Sequence, residues 1–209
     1  MRPGGVVSFT KLNSIGFLQK NRLYIVMCLS LITGIIIGSV SLASGGKSTE
    51  VFKSVFTWYI NGREGTGFFI VLFSSFFYYF AVATAFFTLG ASIVGVIFSP
   101  IICCTIGIFF GGISAFSYSQ YTLKGIAFNA IILLPAALTF CICALFAAKE
   151  AFCLSVIIIK LTLPKSRPLN LSGEFKSYCG RFLIIVLLFA LSALVDAAVT
   201  VSFIKFFSF

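Results

Sequence analysis

The sequence predicts an all-α, polytopic membrane protein of about five transmembrane helices, with an amphipathic outer-side helix and a kinked or broken fourth helix. Of its 209 residues, 60% are hydrophobic and only 10% are charged, whereas a soluble domain carries about 25% charged residues. The mean hydropathy is +1.14, and apolar runs of about 20 residues, the length that crosses a bilayer as a helix, recur along the chain. These runs are continuous and do not alternate as barrel strands do. The predicted organisation is a basic cytoplasmic arm at residues 1–22 and a single helical membrane domain at residues 23–209.

The N-terminal arm carries basic residues and no acidic residue, and its basic positions are Arg2, Lys11, Lys20 and Arg22. Such a segment is expected to contact anionic lipid head groups on the cytoplasmic side. The first span is predicted at residues 23–43. Its apolar run is longer than the ~7–15 residues of a cleaved signal peptide, which favours an uncleaved helix.

Residues 48–60, in the polar connection after the first span, have helical periodicity. One face is apolar and consists of Val51, Phe52, Val55, Phe56 and Tyr59. This face, together with Trp58 and Tyr59, suits a helix that lies in the membrane interface on the outer side. The alternative is a loop with a helical turn that packs on the end of the bundle. On the first interpretation, the helix meets a partner on the outer side.

The second, third and fourth spans are predicted at residues 68–89, 93–116 and 125–148, with a short outer turn between the third and the fourth. Helices in lipid associate through close backbone approach at small residues. The first and third spans each contain a GxxxG pair, which favours packing against other helices or against a partner. The positions predicted for this packing are Gly34, Gly38, Gly90, Gly95, Pro100, Gly107, Gly111, Gly125 and Pro135.

Apolar sequence continues beyond the fourth span almost to Leu163. One helix from residue 125 to this point would be roughly 58 Å long, nearly twice the hydrocarbon core. We therefore expect a break at Lys149-Glu150. A kink at Pro135 is also expected, since proline removes a backbone donor.

An inner loop at residues 164–181 is predicted to lead into the fifth span at residues 182–203. With five spans, the segments on the side of the N-terminus hold about twice as many basic residues as those on the other side. The positive-inside rule therefore predicts a cytoplasmic N-terminus and a C-terminus outside.

The inventory of catalytic side chains is small. There is no histidine, which excludes His-based triads and His-containing metal sites. We expect no enzymatic activity, no cofactor and no bound metal. The seven cysteines are interpreted as small apolar residues that fill gaps between helices. The net charge of +10 flanks the apolar spans, so it is interpreted as a topology signal and no nucleic-acid partner is expected.

Asp196, the single aspartate of the chain, lies near the middle of the fifth span. An ionisable group there costs at least about 2.5 kcal/mol and is a functional candidate by default. It could serve an ion or solute pathway in a transporter subunit; the alternative is a hydrogen-bonded carboxyl that joins two helices. Asn129, Thr139 and Lys149 are the candidate partners, and Asn129 is the second intramembrane polar position singled out.

Glycine and proline residues form an ordered frame through the centre of the chain. The frame comprises LGxSxxG (Leu89, Gly90, Ser92, Gly95), then Pro100, GxxxG (Gly107, Gly111), Lys124-Gly125 and Leu134-Pro135. It resembles the stage II sporulation protein M family of bacterial membrane proteins, and the five-span layout extends the likeness over most of the chain. The chain departs from the family at Ala136-Ala137, where many members have a polar residue.

This resemblance implies a multi-pass protein of the bacterial cell membrane. It also implies a non-enzymatic scaffold that recruits or localises peptidoglycan-degrading partners, the cell-wall hydrolases of the engulfment complex, during sporulation. The family has members outside sporulation, some near transport genes, so a permease-like transporter subunit using Asp196 is the alternative.

Overall fold

A computed structural model describes residues 22–43, 47–63, 65–162 and 171–207. Apart from Arg22, the basic arm predicted at residues 1–22 lies outside these ranges. Within them the chain is helical, and its elements in order are α1 (Arg22–Ala43), α2 (Lys47–Asn61), α3 (Phe68–Gly90), α4 (Gly95–Phe128), a π-helical turn (Asn129–Leu133), α5 (Leu134–Thr162), α6 (Leu171–Phe203) and a 3-10 turn (Ile204–Phe206).

Four helical stretches of the described chain are long and apolar enough to cross a membrane. They are Arg22–Leu42, Phe68–Gly90, Gly95–Thr162 and Gly173–Phe206. The prediction of an all-α membrane protein is thus confirmed at the level of its class.

The third of these stretches reverses direction at Thr122, whose backbone dihedrals (φ 44°, ψ −117°) are not helical. The Ser114 hydroxyl lies 3.5 Å from Asn129 Oδ1, 15 residues further along the chain. In a straight helix that separation would be roughly 22 Å. A Cβ at Gly125 would lie 1.9 Å from the Ser117 carbonyl oxygen, so this tight return requires glycine. The turn falls where the sequence predicts one.

The helix break predicted at Lys149-Glu150 is wrong, because α5 passes through both residues without interruption. Glu150 accepts a salt bridge from Lys149 at 3.3 Å and another from Arg181 of α6 at 3.0 Å. These charges are paired on the flank of the helix, so they do not need a loop. The irregularity lies earlier, in the π-helical turn that ends directly before Leu134-Pro135. A wider turn there is the expected response to a proline without a backbone donor.

Of the inner loop predicted at residues 164–181, residues 164–170 lie outside the described residues, and the prediction is wrong for residues 171–181, because α6 already begins at Leu171. Tyr178, which is 1% exposed, explains the early start. Its ring stacks on Phe87 of α3 at 5.3 Å between centroids, and its hydroxyl donates to the Phe87 carbonyl at 3.1 Å. Packing against α3 therefore keeps a polar sequence helical.

Two apolar clusters hold the bundle together. The larger one runs along the bundle axis and is centred on rings from three helices, with Tyr79 4.5 Å from Phe140 and Phe140 5.6 Å from Phe189. The smaller one joins α2 to α4 and the π-helical turn, at what we call the α2 end of the bundle. The opposite end, where α5 and α6 approach the α3–α4 connection, we call the α5–α6 end.

The helix predicted at residues 48–60 is confirmed as α2. Its buried positions are Phe52, Phe56 and Ile60, which recur every four residues and face the bundle. Val51, predicted on the apolar face, is 57% exposed instead, and Trp58 is 68% exposed. The segment therefore packs on the end of the bundle as a full helix, where the alternative interpretation expected a loop with a helical turn, and its tryptophan remains accessible.

Candidate functional site

A buried ion pair lies at the α2 end of the bundle. Asp196 of α6 has a side chain that is 1% exposed, and Arg63, in the connection between α2 and α3, has one that is 13% exposed. Arg63 Nη1 donates to Asp196 Oδ1 at 3.0 Å and Nη2 to Oδ2 at 2.7 Å. This bidentate geometry is the strongest form of hydrogen bonding between these two groups.

Three hydroxyl groups complete the shell around the Asp196 carboxylate. Ser75 and Tyr79, one turn apart on α3, donate to Oδ2 at 2.6 and 3.3 Å. Thr200, one turn along α6, donates to Oδ1 at 3.3 Å. Arg63 Nη2 also donates to Ser75 Oγ at 3.0 Å. Because the carboxylate has a donor on every side, its burial cost is offset within the chain, and the pair ties α3 and α6 to the α2–α3 connection.

Tyr59 of α2 lies beneath the guanidinium, with Arg63 Cζ 3.8 Å from its ring centroid. Such a cation–π contact is strengthened where water is excluded. Burial lowers the pKa of Arg63, but the proximity of Tyr59 and Asp196 raises it, and the pKa ends above its usual value. The guanidinium therefore stays charged.

The phenolic oxygen of Tyr59 is buried and makes no hydrogen bond of good geometry among the described residues, while a weaker hydrogen-bond contact with Thr200 lowers its pKa. Burial is also the main reason why the pKa of Tyr59 is raised, with Arg63 opposing the shift. The phenol therefore remains protonated and keeps a donor available. A buried polar group without a partner costs free energy and calls for an explanation.

A cavity of about 310 Å³ adjoins this cluster. Tyr59, Arg63 and Asp196 contribute to its wall, and apolar side chains of α2, α3, α4 and α5 form most of the rest. This volume is at the lower end of the ~300–1,000 Å³ typical of small-molecule sites.

The partner of Asp196 was missed in the sequence, where Asn129, Thr139 and Lys149 were the candidates. Asn129 is buried instead beside Ser114. Thr139 accepts a hydrogen bond from Ser192, and Lys149 pairs with Glu150. One signal was available: Arg63 lies five residues before a predicted span and Asp196 seven residues before the end of another, on the same predicted side of the membrane.

The two GxxxG pairs meet each other inside the chain. A Cβ at Gly34 would lie 2.1 Å from the Cys104 carbonyl oxygen, and one at Gly38 would lie 2.3 Å from that of Ile108. Conversely, added Cβ atoms at Gly107 and Gly111 would meet α1 backbone oxygens at 2.3 Å. The backbones of α1 and α4 are therefore in direct contact, which leaves neither pair free for a partner.

The LGxSxxG frame packs at the α5–α6 end. A Cβ at Gly90 would lie 2.8 Å from Ala151 Cα, and one at Gly95 would lie 2.2 Å from Ser155 Oγ. The Ser155 hydroxyl lies 3.2 Å from the Gly90 carbonyl oxygen and 3.3 Å from that of Leu89. These glycines let α5 approach the α3–α4 connection. The nearby Pro100 lies inside α4, and its carbonyl accepts a hydrogen bond from Ser30 of α1.

Comparisons with protein-family models, with curated proteins and with solved structures gave no match for this chain.

Proposed function

We propose that this chain is a non-enzymatic scaffold of the bacterial cell membrane, with five spans, a cytoplasmic N-terminus and a C-terminus outside. The reversal at Thr122 supports the count of five, because it divides the Gly95–Thr162 stretch into two arms that each exceed the ~20 residues needed to cross a bilayer. In this orientation the α2 end is outside and the α5–α6 end is cytoplasmic.

The observation that carries the scaffold role is the mounting of α2. Phe52, Phe56 and Ile60 fix this helix to the bundle, whereas Val51 and Trp58 remain exposed and are not needed for that packing. An exposed tryptophan on a rigid support is typical of a residue that anchors a protein interface. The resemblance to the stage II sporulation protein M family supports extracytoplasmic cell-wall hydrolases as the partners and engulfment during sporulation as the process.

The test is affinity isolation of the cross-linked protein from membranes in mild detergent, followed by identification of the co-isolated proteins. Cell-wall hydrolases are expected with the wild type and should be lost with the Val51→Ser/Trp58→Ala variant. Leu183→Ala is the matched control, because Leu183 is 64% exposed but lies towards the α5–α6 end. Recovery of the same hydrolases with the α2 variant would contradict the proposed surface.

The topology is tested separately by reporter fusions. Fusions after Lys124 and at the C-terminus are expected outside, and a fusion in the segment between α5 and α6 is expected in the cytoplasm. A C-terminal reporter in the cytoplasm would contradict five spans with this orientation.

The second candidate function is a membrane subunit of a transporter, and the cavity beside Asp196 favours it. The bidentate contact with Arg63 weighs against an ion or solute pathway through Asp196, because both carboxylate oxygens already accept hydrogen bonds within the chain. If an ATP-binding subunit co-isolates instead of hydrolases, or if Asp196→Asn abolishes transport in vesicles while the protein stays folded, the transporter replaces the scaffold.

A further inference from the structure

A cluster of charged side chains lies at the α5–α6 end of the bundle, away from the ion pair at the α2 end. Glu150 of α5 is at its centre, with a side chain that is 11% exposed. Lys149 Nζ lies 3.3 Å from Glu150 Oε1, and Arg181 Nη1 lies 3.0 Å from Glu150 Oε2. Two cations therefore share one carboxylate, and the cluster has an excess of positive charge.

The cluster lies where the apolar parts of three helices end. Residues 125–148, which lead into Lys149, contain no charged side chain, and a helix of this length is roughly 36 Å long, enough to cross the ~30 Å hydrocarbon core. On α6, the uncharged residues 182–195 begin directly after Arg181. Tyr24, in the first turn of α1, has its ring centroid 4.9 Å from Lys149 Nζ. The cluster is thus at the membrane surface when these helices cross the bilayer.

Both cations are accessible from outside the bundle. The side chain of Lys149 is 30% exposed and that of Arg181 is 50% exposed. An ammonium has three N–H donors and a guanidinium has five, which is more than their contacts with Glu150 and with the Ser177 carbonyl use. The pair can therefore donate to a further acceptor on its exposed side.

The charges at this end select an anion. The other charged residues described here are Arg22, Lys160 and Lys176, which are exposed, and Glu174. Positive charge therefore predominates. The cations of the cluster are already held together by two oxygens of one carboxylate, so little ordering is needed before they contact the oxygens of a second anion. A phosphate group presents several strong acceptor oxygens to such a pair of lysine and arginine side chains.

The surface next to Arg181 favours a phosphate that is carried by a lipid. Ile184, Leu188 and Leu191 follow Arg181 on one face of α6, because they are spaced three and four residues apart. All three are exposed. This apolar stripe begins directly below the cation and continues into the membrane, so acyl chains can pack along it beneath a head group. A free phosphate would leave the stripe uncovered.

We propose that Lys149 and Arg181, held together by Glu150, bind the phosphate of one anionic phospholipid, whose acyl chains lie against the apolar stripe of α6. An anionic head group is preferred, because a zwitterionic one adds a positive charge where positive charge already predominates. Unlike the general attraction expected of the N-terminal arm, this is one site of defined stoichiometry. The inference does not depend on the scaffold role; it requires only that α5 and α6 cross the membrane.

Native mass spectrometry tests the site, because it resolves each lipid-binding step. The full chain is delipidated in a neutral detergent and titrated with phosphatidylglycerol and, separately, with phosphatidylcholine of identical acyl chains. We expect the first phosphatidylglycerol to bind at least about ten-fold more tightly than the first phosphatidylcholine, since two basic side chains attract its head group. Later binding steps should show little preference between the two lipids.

Three variants that each remove one positive charge separate the site from general attraction. Arg181→Gln and Lys149→Gln each remove one member of the pair and should weaken the first phosphatidylglycerol step at least about ten-fold, because a charge-assisted hydrogen bond is lost. Lys176→Gln is the matched control. Lys176 is exposed on the same end of α6, and its loss should weaken this step less than about five-fold.

The outcomes are distinct. Equal losses for Arg181→Gln and Lys176→Gln, or equal affinities of the two lipids at the first step, would overturn the proposal, because overall charge would then account for binding. Displacement of the first phosphatidylglycerol by low millimolar inorganic phosphate would also overturn it, because the site would then bind a free anion. A selective first step that both cluster variants lose, at unchanged thermal stability, supports the proposal whether or not any partner protein is found.

Discussion

Replacing Arg63 with methionine should destabilise the folded protein by about 3–5 kcal/mol, because it removes one member of a buried ion pair. Two charge-assisted hydrogen bonds, at 2.7 and 3.0 Å, are lost, and each contributes roughly 1.5–3 kcal/mol. The three hydroxyl groups that donate to Asp196 remain and partly compensate for the lost guanidinium. The expected destabilisation is therefore at the lower end of this range, about 3 kcal/mol. Methionine preserves much of the side-chain volume, so the effect of a cavity is kept small.

The double variant Arg63→Met/Asp196→Leu should lie within about 1 kcal/mol of the wild type, because it removes both charges together and leaves neither unpaired. Asp196→Leu alone should cost about 2–4 kcal/mol, since it leaves the guanidinium partly buried. The two single losses are thus expected to exceed the loss in the double variant by at least about 3 kcal/mol, which is the coupling energy that a double-mutant cycle measures.

Equilibrium unfolding in mild detergent, followed by helical circular dichroism, measures these free energies. Arg181→Met is the control, because Arg181 pairs with Glu150 at 3.0 Å but is 50% exposed, and its loss should be below about 1 kcal/mol. Additive losses at Arg63 and Asp196, or an equal loss at Arg181, would refute the view that the buried pair ties the α2–α3 connection to the bundle.

Three further variants test the packing and are measured in the same unfolding assay. Gly107→Ala should destabilise the protein by about 1–3 kcal/mol, because the added Cβ would lie 2.3 Å from the Leu31 carbonyl oxygen. Gly180→Ala, which has open space around it, should stabilise the protein by about 0.5–1 kcal/mol. Equal effects of the two substitutions would contradict the α1–α4 contact. Thr122→Gly should stabilise by about 1 kcal/mol, because a β-branched residue at φ 44° is strained; a loss of stability would contradict the tight turn. Phe56→Ala should destabilise the protein by about 3–5 kcal/mol and make α2 susceptible to protease cleavage, because the Phe56 ring is 2% exposed and packs between Phe116 and Phe128. Unchanged protease resistance would show that other contacts hold α2.

The positions of most helices follow from local composition. The first span was predicted at residues 23–43 and α1 is Arg22–Ala43; the second was predicted at residues 68–89 and α3 is Phe68–Gly90. Each run is apolar over its whole length, and a helix in lipid must satisfy its own backbone groups, so hydropathy along the chain is sufficient to locate it. The periodicity of residues 48–60 likewise sufficed to predict α2.

The ends of the helices, and the residues that pair across the bundle, could not be predicted from the composition of each segment. Glu150 of α5 pairs with Arg181 of α6, and Tyr178 near the start of α6 stacks on Phe87 of α3. Both contacts join residues that are far apart in the sequence. A hydropathy profile assigns a charged or polar stretch to a loop, because the profile carries no information about the distant residue that pairs with the charged or polar side chain.

The candidate site likewise combines features that the sequence predicts with features that only the tertiary structure decides. Asp196 was conspicuous in the sequence as an acid in an apolar span, and the glycine pairs were recognisable as places of close approach. Arg63 is 133 residues away from Asp196, and the choice of α4 as the neighbour of Gly34 and Gly38 depends on how whole helices pack. Hydrophobicity is a property of each segment, whereas the pairing of a buried charge and the filling of a cavity depend on atoms that distant segments bring together.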